Sequence, residues 1–211
     1  MFGFGAILAL AGRAAHLEAV GRPAFAPWLE IMQRLLEVTT LDDISPDYRG
    51  SPIGLLLEYH NLGRPLSDYS AAQLLIAMCM DHRKHLRLPD NFAYVIRSGG
   101  ANLRFSGFKV SYAIAVGGVS AIALIGHTNC GMVNLISRRE PFIQGLIERA
   151  GWQRPLAEDH FDKLAPMFEI RNEIDFVLAE AKRLRSEYPR IQVAPLLYRV
   201  EDNRLYLVLE P

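Results

Sequence analysis

The chain holds only two cysteines in 211 residues, Cys79 and Cys130. That is too few for a disulfide framework, so small secreted disulfide scaffolds are excluded. One bridge between the two is possible on paper. Two reduced thiols in a cytoplasmic protein is the reading we adopt. Net charge is also lacking: 23 basic residues balance 23 acidic ones. No general attraction to nucleic acid or to an anionic membrane follows from such a surface. A near-neutral surface is compatible with self-association instead. No stretch approaches the roughly 20 apolar residues of a membrane span. The apolar start "MFGFGAILALAG" has no basic segment before it and is broken by glycines, so it does not read as a signal peptide. There is no internal repeat, no low-complexity tract and no G-x-G-x-x-G.

What is present is a half-hydrophobic chain of ordinary charged content, long enough for a sizeable core. We read residues 1–211 as one domain, with a helical N-terminal extension over 1–65 and an α/β core over 70–211. Helical spacing predicts a helix from Pro23 to Val38, and "IGLLLEYHNLG" a second one ending near Gly63. "LLIAMCM" is a short continuous apolar run, as expected of a strand buried on both faces. "FAYVIRS" and "VSAIALIG" read as further strands, with a helix "FKVSYAIAVGG" between them. "CGMVNLISRR" is expected to start a helix opened by Gly131. "PFIQGLIERAGW" and "EDHFDKLAPMF" follow as short helices, and "EIRNEIDFVLAEAKRLRSEYP" as a long amphipathic one. "IQVAPLLYRV" and "LYLVLE" close the chain as an antiparallel hairpin around "EDNR". Strands alternating with helices imply an α/β fold with a mostly parallel sheet flanked by helices and an antiparallel edge hairpin. Ligands of such sheets bind at the carboxyl ends of the strands.

Reactive groups fall at those ends. Cys79 ends the first apolar run, in "CMDHR". His127 and Cys130 follow "VSAIALIG", in "GHTNCG". Two thiolates and an imidazole form a borderline-soft set suited to Zn²⁺, and three ligands leave a tetrahedral ion one open position. The competing readings are two small core cysteines with a helix-capping histidine, and a redox pair. Asp81 and Arg83 lie two and four residues beyond Cys79. A carboxylate held ionised by a guanidinium could orient a metal-bound water; without the ligands beside it, the pair would read as an ordinary surface ion pair.

"CMDHR", then "RSGGANL", then "SYAIAVGGVSAIALIGHTNCGM" resembles the β-class carbonic anhydrases, with their Cys-x-Asp-x-Arg and His-x-x-Cys-Gly motifs. The resemblance runs from about Leu74 to Asn134 and returns in the closing hairpin "VAPLLYRVEDNRLYLV". It implies zinc on Cys79, His127 and Cys130, and a catalytic dyad of Asp81 and Arg83. The implied reaction is reversible hydration of CO₂ to bicarbonate by zinc-bound hydroxide. It also implies a homodimer or tetramer, with N-terminal helices lying across a neighbour. The family most often has serine where this chain has His82. His82 is therefore either a proton shuttle or a histidine facing solvent or a backbone carbonyl. His85 has the same two readings. Gly99 and Gly100 are expected in a tight turn beside the zinc pocket, and the Gly131 N–H near a bound anion or thiolate. The linker "KHLRLPDN" is short for the family and leaves the pocket shape open. Some members use the counterpart of Asp81 as a fourth zinc ligand in a closed state. Three functions follow: CO₂ hydration, hydrolysis of COS or CS₂ on the same fold, and a zinc-stabilised scaffold without turnover.

Overall fold

The sheet is built around the apolar runs that the sequence marks out. In the computed structural model, which describes residues 34–210, six strands stand in the order β1-β6-β5-β4-β2-β3. They are β1 (Leu35–Glu37), β2 (Leu74–Cys79), β3 (Ala93–Ser98), β4 (Ala121–His127), β5 (Gln192–Arg199) and β6 (Arg204–Val208). β3, β2, β4 and β5 run parallel, while β6 is antiparallel to β5 and β1 to β6. The α/β architecture expected from the alternation is the one observed.

The expected hairpin has a further strand outside it. Leu35 to Glu37 pair with Val208 to Tyr206, so the last residues of the predicted Pro23–Val38 helix are extended. Cross-strand pairing overrides a local helical spacing of apolar residues there. The rest of that predicted helix, and the apolar start of the chain, lie outside the described residues.

β2 and β4 are buried at every position, which is why they read as unbroken apolar runs. β3 is the outer parallel strand, and Tyr94 and Val95 stay exposed on it. Among the described residues five α-helices flank the sheet: α1 (Pro52–Asn61), α2 (Gly107–Ala115), α3 (Arg139–Ala150), α4 (Arg154–Phe168) and α5 (Glu173–Glu187). α1 starts at Ser51, whose hydroxyl accepts from the N–H groups of Ile53 and Gly54, with Pro52 in the first turn. Its Ile53, Leu56 and Leu57 pack with Leu74, Ile76, Ala123, Ile125 and Leu196 in the main core. α5 is capped by Asn172 and packs on β4 and β5.

One further local expectation is corrected. No helix begins at Gly131. Residues 130–134 form a turn, Val133 makes an isolated bridge to Ile170, and α3 begins only at Arg139. Asn134 takes a positive φ of 53°, which no helix interior tolerates. The segment between β2 and β3 contains no helix either, so this parallel crossover is a plain loop over residues 80–92.

Candidate metal centre

Parallel strands β2 and β4 are neighbours, and both end at the same rim of the sheet. Cys79 is the last residue of β2 and His127 the last of β4. The turn after β4 returns Cys130 to the same point. The two sulfurs stand 4.0 Å apart. The ligand atoms of Cys79, His127 and Cys130 all lie within 4.8 Å of one another, and all three residues are buried. Both cysteines are free thiols. Among the described residues this is the one histidine, cysteine or carboxylate group close enough to hold a metal ion.

The tautomer of His127 decides what its ring can do. Nδ1 lies 2.9 Å from the Thr128 carbonyl oxygen, which can only accept, so Nδ1 carries the proton. Nε2 is then a bare lone pair. It is fully buried and has no hydrogen-bond partner. Leaving such an acceptor unsatisfied costs on the order of 1–3 kcal/mol, and a metal ion removes that cost. A histidine anchored through one nitrogen with the other free is also how metal-ligating histidines are held.

The thiols are prepared in the same sense. Cys79 is held well below the ordinary thiol range. The bond shared with Cys130 is the largest cause, helped by the N–H groups of Asp81 and Gly100. Cys130 is pushed up by that same shared bond and by burial. The pair thus keeps one proton between two sulfurs, which a divalent cation would displace. Gly100 donates its N–H to the Cys79 sulfur at 3.4 Å. It does so at φ 63°, a conformation that favours glycine. Gly99 lies beside it, buried, in the same tight turn. The Met132 N–H favours the charged form of Cys130.

Asp81 and Arg83 form a closed pair. Arg83 Nε lies 3.0 Å from Oδ1 and Nη2 lies 2.7 Å from Oδ2, and the Arg83 N–H also donates to Oδ1 at 2.9 Å. These bonds hold the Asp81 carboxyl far below the usual carboxylate range. The same Nη2 also donates to the Asn129 carbonyl at 2.9 Å, which ties the dyad to the His127–Cys130 turn. His82 and His85 are both exposed.

A carbonic anhydrase from Glaciozyma antarctica superposes with a TM-score of 0.53 at 20% identity, covering 79% of this chain and 97% of that one. A carbonic anhydrase from Streptococcus mutans gives 0.52 at 19% identity, over 76% and 97%. β-Carbonic anhydrase isoform I from Trichomonas vaginalis gives 0.51 at 18%, over 82% and 99%. The chain has the β-carbonic anhydrase fold. A scan against protein-family models matches none, and a search of curated proteins returns no significant match.

In this β-carbonic anhydrase fold several supporting residues carry no signal in sequence. Glu173, at the start of α5, accepts the Cys130 N–H at 3.1 Å. Glu201, from the β5–β6 turn, accepts from the Thr128 hydroxyl at 2.7 Å and the Asn129 amide at 2.8 Å. Arg97 on β3 reaches the carbonyl oxygens of Cys79, Asp81 and Lys84 at 3.3–3.4 Å. Each is remote in sequence from what it holds, so no spacing rule could have found it. A cavity of about 290 Å³ lies nearby, lined by Met80, Gly99, Met132, Leu135, Phe161 and Phe168 among others.

Proposed function

We propose that the chain is a zinc-dependent carbonic anhydrase that interconverts CO₂ and bicarbonate. Cys79, His127 and Cys130 are its metal ligands, and Asp81 with Arg83 its catalytic dyad. The observation that carries this reading is the orphaned Nε2 of His127, turned by its Nδ1 anchor toward two thiols beside a charge-paired aspartate. The donor set fits zinc. Tetrahedral Zn–S bonds of about 2.3 Å would place two sulfurs about 3.8 Å apart, against the 4.0 Å found. Three ligands leave the fourth position open, and both Asp81 oxygens are engaged by Arg83.

When bound, zinc supplies a Lewis acid that lets a water lose its proton near neutral pH. The protein supplies the rest. Asp81 is kept ionised, and the lone pair of Oδ2 that Arg83 Nη2 leaves open can accept a hydrogen bond from that water and fix its direction. Arg83 fixes Asp81 from one side and is itself fixed by Asn129. The proton then leaves to bulk buffer, with exposed His82 as the candidate relay. We further propose a single domain, a cytoplasmic setting and a homodimer or tetramer. The near-neutral surface supports self-association, and among the described residues no helix is long and apolar enough to cross a membrane.

The test is stopped-flow CO₂ hydration by zinc-loaded protein between pH 6.5 and 9, beside Asp81→Asn. Turnover well above the buffer blank that falls at least 100-fold in Asp81→Asn, with zinc still bound, is expected. Normal turnover in Asp81→Asn would remove the dyad from the mechanism. A His82→Ser variant with unchanged buffer dependence would remove His82 as relay. A second reading is favoured by the apolar lining of the nearby cavity, with Met80, Met132, Leu135, Phe161 and Phe168, which suits the larger and more lipophilic sulfur analogues of CO₂. On that reading the same site hydrolyses COS or CS₂, and comparing turnover of the three substrates separates the two. A zinc-bearing scaffold is the outcome if none of the three turns over.

A further inference from the structure

Asn129 stands one residue before Cys130 and takes a backbone φ of 56°. A left-handed residue other than glycine persists only where its surroundings hold it. Three distant parts of the chain hold this one. Its carbonyl oxygen accepts from Arg83 Nη2 at 2.9 Å. The N–H of the same peptide unit, that of Cys130, donates to Glu173 at 3.1 Å. The Asn129 side-chain amide donates to Glu201 Oε1 at 2.8 Å, from the turn between β5 and β6, 72 residues further along. Among the described residues Glu201 is the one side chain that holds this amide.

Glu201 makes a second bond, accepting from the Thr128 hydroxyl at 2.7 Å. The two bonds differ in consequence. Thr128 has other anchors: its N–H donates to the Tyr198 carbonyl at 3.1 Å, and its hydroxyl oxygen accepts the Val200 N–H at 3.0 Å. Its carbonyl, which fixes Nδ1 of His127, therefore stays in place without Glu201. The Asn129 side chain has no such reserve. Once it is released, the carbonyl facing Arg83 turns with the strained backbone. Arg83 Nη2 divides its two N–H groups between that carbonyl and Asp81 Oδ2. The plane of the guanidinium follows the carbonyl, and the carboxylate bonded side by side to it follows the guanidinium.

We propose that Glu201 is a positioning residue that aims the Asp81–Arg83 pair, acting through Asn129. Only its catalytic consequence rests on the function proposed above; the line of hydrogen bonds from Glu201 to Asp81 stands without it. The sequence gives no hint of this, since "RVEDNR" reads as a polar hairpin turn and Glu201 is exposed in it. A misaimed carboxylate acts on the chemical step, where small displacements of a reacting group are costly.

The experiment compares full-length wild type, Glu201→Ala and Glu201→Gln. The first readout needs neither metal nor turnover. It is the hydrogen-exchange rate of the Arg83 Nε–H by NMR, the signal being identified by its absence in Arg83→Lys. Exchange should be about fivefold faster in Glu201→Ala, the order expected for losing one net hydrogen bond. Glu201→Gln still offers an oxygen to the Asn129 amide and should recover most of the protection. With zinc loaded, Glu201→Ala should keep one ion per chain. Its kcat for CO₂ hydration should fall about three- to tenfold with KM changed by less than about twofold, the pattern of an interaction lost in the transition state. Equal Arg83 exchange in wild type and Glu201→Ala overturns the proposal, and so does faster exchange with unchanged kcat. Loss of zinc from Glu201→Ala overturns it too, because Glu201 would then serve the ligands. So does failure of both variants to fold, which would make Glu201 a structural residue. A wild type without CO₂ turnover, in which Glu201→Ala still speeds Arg83 exchange, would sink the carbonic anhydrase reading and leave the positioning role standing.

Discussion

Adding one methyl group at Gly126 should loosen the metal centre from a distance. Gly126 is the next-to-last residue of β4, immediately before His127. A Cβ there would lie 2.9 Å from Val177 Cγ1 and 3.4 Å from the Glu173 carbonyl oxygen, both on α5. Carbon atoms pack comfortably at about 3.5–4.0 Å, so the first contact is too short by roughly half an ångström or more. Val177 is completely buried and β-branched, so it cannot rotate away cheaply. Either α5 lifts or β4 bends. Overpacking of this kind costs about 1–3 kcal/mol. The alanine recovers about 0.4–1 kcal/mol by restricting the unfolded chain. The clash wins, and Gly126→Ala should lose on the order of 1–2 kcal/mol in urea unfolding. Glu173 sits one turn before Val177 and holds the Cys130 N–H, so zinc affinity should fall several-fold in the same variant, read by competition with a chromophoric chelator. The control is Val177→Ala, which removes the obstructing methyl. In that background Gly126→Ala should cost under about 0.5 kcal/mol. An equal cost in both backgrounds would refute the reasoning, because the penalty would then not come from the β4–α5 contact.

Other outcomes follow from the same geometry. His60 accepts the Arg87 N–H at Nδ1 and meets the Asn203 carbonyl through Nε2, an arrangement that requires the neutral ring. Burial pushes its pKa below 6.5. The unfolded chain therefore binds more protons, so the stability contribution is complete above pH 6.5 and is lost as pH falls through the folded value. The drop in unfolding free energy between pH 7 and 5 should be smaller in His60→Gln than in wild type; an equal drop refutes it. Arg97→Lys cannot span three carbonyls and should lower zinc affinity about tenfold or more, as loss of outer supports does; unchanged affinity would show that segment 79–84 holds itself. Zinc at 100 times its dissociation constant should stabilise the fold by about 2.7 kcal/mol, and Cys79→Ser should abolish most of that gain. A Cys79→Ser protein with full zinc stabilisation would mean the metal binds elsewhere.

The strand runs were legible because β2 and β4 are buried on both faces. Such burial leaves a short unbroken apolar run, and its length and flanking turn residues mark it as a strand. The candidate ligands were legible for a related reason: metal chemistry demands particular atoms, and Cys79, His127 and Cys130 supply them at the ends of those runs. The pairing of Asp81 with Arg83 could be read because two residues of spacing already bring the groups within reach. Sequence alone did not decide what depends on distant partners. Leu35 to Glu37 became a strand because β6 offered an unpaired edge, not because of their own preference. The stretch just after Cys130 turns instead of winding into a helix because Val133 bridges to Ile170 and Asn134 is left-handed, and only a short 3₁₀ turn follows at Leu135–Arg138. Glu173, Glu201 and Arg97 reach the centre through the tertiary fold, and a hydrogen bond across many residues leaves no periodicity to read. Lys84 is the clearest case. In sequence it is one basic residue among several, and only the closing of the fold over it turns an ordinary surface charge into a buried one.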